Sequence, residues 1–144
     1  MATYRNATAA RTIVGRLDHN KDLLEELIAV CKAENVKLAA LTAIGAVRKA
    51  RIGFYNQQAR EYQFIELDEP LEILSLVGNV SLRDGEPMVH AHITLGTEAG
   101  DAYGGHLAPG TTVFACEFIM QQLDGPEFVR EYDDETGLPL WRRQ

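Results

Sequence analysis

The chain has 144 residues, 46% of them apolar and 24% charged, with a formal net charge of −7. That length buries a core without staples, and that balance excludes a disordered chain. The acidic excess argues against a broad phosphate-binding surface, which needs basic charge, and no apolar run is long enough to cross a bilayer.

Residues 1–15 lack the shape of a signal peptide, so the expected location is cytoplasmic. Cys31 and Cys116 both fall in apolar-periodic segments, where a free cysteine acts as a small buried hydrophobe; no disulfide framework is expected. There are no repeats, low-complexity tracts or long linkers. The expectation is one domain over residues 1–144 with its core at about 10–137.

Residues 10–17 read as a strand, with Thr12, Ile13 and Val14 supplying β-branched side chains. Asp18-His19-Asn20 is turn and helix entry, and His19 reads as solvated there. Residues 21–34 place Leu23, Leu24, Leu27, Ile28 and Cys31 at helical spacing, with Asp22, Glu25 and Glu26 near the positive end. Asn35 fits a left-handed cap.

Residues 38–55 read as two strands, or as one long strand broken between Gly45 and Arg48, where glycine marks a bulge or a close backbone approach. Lys37, Arg48, Lys49 and Arg51 make this the most basic neighbourhood. It reads as a solvated strand face, with an anion contact as the other reading. After a polar turn, residues 62–67 fit a short strand closing a hairpin.

Asp68-Glu69-Pro70 breaks the chain before an apolar strand at 71–82. Glu72 inside that strand has to be exposed or paired. It reads as a sheet-edge or interface charge, or else as a partner orienting a ligating imidazole. Arg83-Asp84-Gly85 turns the chain into residues 88–95, again a strand.

That strand carries His90 and His92, two apart and hence on one face. A turn at 96–101 returns the chain to Gly104-Gly105-His106, where the glycines let the backbone fold close to whatever the histidines hold. Three neutral imidazoles suit Zn²⁺ or a similar divalent metal, with a position left for water or another ligand. The other reading places His90 and His92 on a half-exposed strand face and makes His106 a turn residue hydrogen-bonded to backbone.

Pro109-Gly110 is a turn. Residues 111–123 are the last long strand, carrying Glu117 as the one candidate for a general base acting on metal-bound water. In the tail, residues 128–130 read as a short strand, Asp133-Asp134-Glu135 as a solvated turn and Trp141 as a packing residue.

The runs Gly85 to His92 and Gly104 to Leu107, with Glu117, Glu72 to Leu76, Gly78-Asn79 and Ile44 to Val47, resemble the PPC family, a domain shared by plants and prokaryotes and long of unknown function. The resemblance covers about residues 16–137 and implies a compact α+β domain. Its sheet would be mostly antiparallel, with a helix between the first strands, and the domain would assemble as a homotrimer.

It also implies a divalent metal, zinc foremost, at His90, His92 and His106. Plant relatives begin the Glu72 neighbourhood with Gly-Arg-Phe and carry a separate AT-hook; here Glu69-Pro70-Leu71 stands instead, with no hook. Transfer of the plant partner contact, and direct DNA binding, are therefore not expected, although such proteins are often named DNA-binding. The expected function is a metal-carrying ligand-binding or regulatory module. A metal-dependent hydrolase using the open metal position is the alternative, so enzymatic activity is left open.

Overall fold

A computed structural model describes residues 1–143. In chain order the elements are β1 (Thr8–Leu17), α1 (Leu23–Ala33), β2 (Ala39–Asn56), β3 (Glu61–Leu67), β4 (Leu71–Arg83) and β5 (Glu86–Gly96). Then come β6 (Ala102–Leu107), β7 (Thr112–Asp124), β8 (Arg130–Asp133) and β9 (Leu138–Trp141). Seven strands form one antiparallel sheet in the order β1-β7-β2-β4-β5-β6, with β3 on the far half of β2, while β8 and β9 pair separately. The fold is α+β, with its helix between the first two strands.

The helix forms where the apolar spacing placed it, and Asp22 caps it: one carboxylate oxygen accepts the Glu25 N–H at 3.0 Å, the other the Gly110 N–H at 2.7 Å. Such a cap contributes about 1 kcal/mol. Leu23, Leu27 and Cys31 are fully buried, and at about 1.5–3 kcal/mol for each fully buried leucine, packing outweighs the cap in holding α1. Asn35 closes the helix at φ 52°.

Residues 39–56 are one continuous strand of 18 residues. Its pairing slips between Ala43 and Gly45 on the β4 side, and between Ala46 and Lys49 on the β7 side. These bulges bend β2, so that its first half pairs with β4 and β7 and its second half with β3 and, at Ile52 and Gly53, with β6. Strands β2, β4, β5 and β6 thus close into a ring. Ile52, Val80, Ala91, Ile93 and Leu107 are among the buried side chains of the core cluster.

The opposite face of the sheet is open. One row of directly paired residues crosses it: Val14, Ile119, Thr42, Val77, His92 and His106. Val14 is 73%, Ile119 52% and Val77 60% exposed, so an apolar surface leads across the sheet to the histidines.

The tail hairpin lies over one end of this face. Arg130 Nε donates to Ser81 Oγ at 2.8 Å and Trp141 Nε1 to the same oxygen at 3.0 Å, while Tyr55 donates to Thr136 O at 2.6 Å. Trp141 packs on Phe128 with ring centroids 4.8 Å apart, and Asp133 accepts the Thr136 N–H and hydroxyl in the acidic turn.

Gly45 has φ 146°, and a Cβ there would lie 2.1 Å from Ala115 O, which is backbone. Gly45→Ala is expected to destabilise the fold by about 3 kcal/mol, the range for strain at a special backbone position. Urea denaturation checks this; a loss below about 1 kcal/mol would mean that the bulge rearranges freely.

Candidate metal centre

Strand β5 turns Val89, Ala91 and Ile93 into the core and, by its two-residue period, His90 and His92 to the open face. His92 is the register partner of His106 on β6, and His90 stands opposite Asn79 on β4. The three rings converge: centroids are 5.2 Å apart for His90 and His92, 5.2 Å for His90 and His106, and 5.7 Å for His92 and His106.

One ligand nitrogen from each lies within 4.8 Å of the other two. Tetrahedral zinc with bonds of about 2.0–2.1 Å separates its nitrogens by about 3.4 Å, so small side-chain rotations bring the set to bonding distance. His106 Nδ1 is buried and has no hydrogen-bond partner, a vacancy that a cation or its surroundings would fill. The donor set fits a divalent metal. His106 is a strand residue here, not the backbone-bonded turn residue of the other sequence reading.

The glycines before His106 have a role different from closeness to an ion. A Cβ on Gly105 would stand 2.8 Å from Gly53 O, and one on Gly104 would stand 3.2 Å from Ile93 O. They let β6 lie against both β2 and β5.

Several residues around the cluster carried no signal in the sequence. The Tyr62 ring lies over His106 at 4.7 Å between centroids. Arg130 is 6% exposed and donates to Asn79 Oδ1 at 2.8 Å. Nothing in a four-residue tail strand marks such an arginine; only the pairing of Asn79 with His90 does.

Other candidates lie elsewhere. Glu72 is exposed seven residues before Asn79 on β4, about 23 Å along a strand, so it does not orient an imidazole. Strand β4 is interior, so Glu72 is not a sheet-edge charge either. Glu117 faces the open side of β7, but β2 and β4 separate β7 from β5, a gap of about 14 Å across three strand spacings. Within one chain it does not reach the cluster.

His19 Nδ1 donates to Phe114 O, 2.7 Å away, and lines an open groove of about 950 Å³ that excludes the three histidines. Of the basic group, Arg48 donates to Asn20 Oδ1 at 2.9 Å, and Arg51 stacks at 3.6 Å from the Phe64 ring centroid. Both cations are engaged within the chain. Cys31 and Cys116 are buried free thiols, each pushed up to about 11 with burial as the main cause.

Burial, then the neighbouring His90 and His92, lower His106 from 6.5 to about 4. Burial, then Arg130 and His92, also lower His90. Both imidazoles are therefore neutral at neutral pH, as metal ligation requires. In metal-free protein the unfolded chain takes these protons first, so stability falls as pH drops below about 6.5 and levels off below about 4 for His106. Chelated wild type is expected to lose urea midpoint across that window, and His106→Gln to lose less. Parallel pH profiles for the two proteins would contradict this assignment.

The profile of the Plants and Prokaryotes Conserved (PCC) domain matches residues 4–124. A metal-containing protein from Archaeoglobus fulgidus is 42% identical, with a TM-score of 0.94 over 99% of this chain and 100% of its own. A plant- and prokaryote-conserved (PPC) protein from Pyrococcus horikoshii is 36% identical, with a TM-score of 0.93 over 99% of both chains. The chain also matches the Bifunctional protein GlmU of a Synechococcus strain, 33% identical over 85% of this chain but spanning only 18% of that relative. The arrangement of the sheet, the helix and the histidine strand is thus shared along nearly the whole length of two solved relatives, and this chain belongs to the PCC, or PPC, domain family.

Proposed function

We propose that the protein is a divalent-metal-binding domain, with zinc the favoured ion, held by His90, His92 and His106 and serving as a ligand-binding or regulatory module. The observation that carries this reading is the convergence of three ligand nitrogens within 4.8 Å on one open sheet face. The Archaeoglobus relative, described as metal-containing, supports it. Three neutral imidazoles select zinc and its neighbours, because carboxylate-preferring ions such as Mg²⁺ and Ca²⁺ want oxygen donors. When bound, such a metal supplies a Lewis-acidic position open to water or a ligand.

Direct DNA binding is less well supported, because the net charge is −7 and Arg48 and Arg51 are engaged within the chain. A hydrolase would use the same open position, yet Glu117 is too distant in one chain to serve as its base. The chain binds and responds; chemistry is not assigned to it.

The open face also favours self-association. Val14, Ile119 and Val77, each more than half exposed, form an apolar row that ends beside His92. An exposed apolar surface of this kind on a sheet is ordinarily covered, and a homotrimer would cover it and could bring Glu117 of one subunit toward another.

Elemental analysis of untagged protein is expected to give about one divalent ion per chain, lost in His92→Ala; that residue is exposed, so the fold should survive its replacement. Metal-free wild type that cannot be loaded with zinc, cobalt or nickel would sink the reading. Native mass is expected to be three times the chain mass of 16.0 kDa, and Ile119→Lys is expected to shift it toward the monomer. A monomeric wild type would rule the trimer out.

A further inference from the structure

Arg130 is 6% exposed, and its three protein acceptors are all neutral: Ser81 Oγ at 2.8 Å, Asn79 Oδ1 at 2.8 Å and Pro139 O at 3.1 Å. Among the described residues no carboxylate lies within ion-pair distance of it. A buried guanidinium lacking a counter-ion is costly, and the fold usually supplies one. Here the neighbour is a cluster of imidazoles that would itself hold a dication. Its ligand set contains no carboxylate either, so no described side chain forms an ion pair at this corner.

Asn79, which fixes one arm of Arg130, is the register partner of His90. The guanidinium therefore sits one strand over from the cluster. Five N–H groups belong to a guanidinium and three are used, which leaves donors for something else. Tyr62 closes the opposite side, its ring over His106 at 4.7 Å. Tyr55 gives its hydroxyl to Thr136 O, but no described residue takes the hydroxyl of Tyr62. Arg130 and Tyr62 thus flank the cluster, the first next to His90 through Asn79 and the second over His106.

Resting on the metal-site reading, we propose that the open position at the histidine cluster takes a small oxyanion, a carboxylate or phosphate group, bound by the metal and by donors from Arg130 and Tyr62. Charge decides the ligand class. A dication beside a buried guanidinium, with no described carboxylate within ion-pair distance of that guanidinium, favours an anion over a neutral or cationic ligand. Arginine also suits the task, because its planar fork matches two oxygens of one carboxylate or phosphate.

The test loads wild type, Arg130→Gln and Tyr62→Phe with Co²⁺ and follows the visible cobalt bands during titration with oxalate and, separately, with inorganic phosphate. Circular dichroism and native mass establish that each variant is folded. At least one anion is expected to perturb the wild-type bands saturably. Its dissociation constant is expected to rise about tenfold or more in Arg130→Gln and severalfold in Tyr62→Phe, which keeps the ring over His106. The anion that acts, oxalate or phosphate, identifies the chemistry.

Full cobalt loading with no response to either anion would overturn the proposal and leave the metal site standing. Equal affinity in wild type and both variants would do the same. If Arg130→Gln fails to fold, Tyr62→Phe alone decides. Failure of wild type to bind cobalt at all would remove the metal-site reading and this proposal with it.

Discussion

The approach of β6 to β2 is the contact on which the histidine cluster depends. His106 is opposite His92 on one side and opposite Gly53 on the other, so it reaches the cluster only if β6 is held between two strands. A side chain at Gly105 would stand 2.8 Å from Gly53 O, and the ring of β2, β4, β5 and β6 would open there. The bulges at Gly45 and beyond are the other half of the same device, since they turn β2 out of its pairing with β4 and toward β6. Backbone geometry at Gly105, Gly53 and Gly45 thus sets the place of the third imidazole.

How much of this could be read in the residues depended on whether the signal was local. The helix at Leu23 to Ala33, the alternation that puts His90 and His92 on one face, and the hairpin turns all follow from spacing within a few residues. So does the bulge at Gly45. That Gly105 makes room for β2 is not legible locally, because its partner Gly53 is about fifty residues away and strand pairing leaves no mark at that distance. Whether 39–56 is one strand or two was undecidable for the same reason: its two halves answer to different partners.

Arg130 and Tyr62 were invisible for a related cause. A strand only four residues long, β8, gives no periodicity to read, and it meets the sheet through Ser81 and Asn79, the two polar residues of the stretch Leu76 to Leu82. Those two were the available clue. A buried sheet segment that spends polar side chains on its open face is preparing to receive something, and a hydrogen-bonding partner from elsewhere in the chain is the natural recipient.

Strand β5 keeps the two roles of the sheet apart. Val89, Ala91 and Ile93 hold the core, while the imidazoles alternate with them on the face that the core does not use. Because the faces are separated by the pleat and not by distance, a change at His92 alters the cluster with little effect on packing, whereas a slip of one residue in β5 would exchange core side chains and imidazoles at once. Gly78 guards that register from the β4 side: a Cβ there would lie 2.5 Å from His90 O. The position of these imidazoles is therefore pinned by backbone contact on both flanks of β5, at Gly78 and at Gly104.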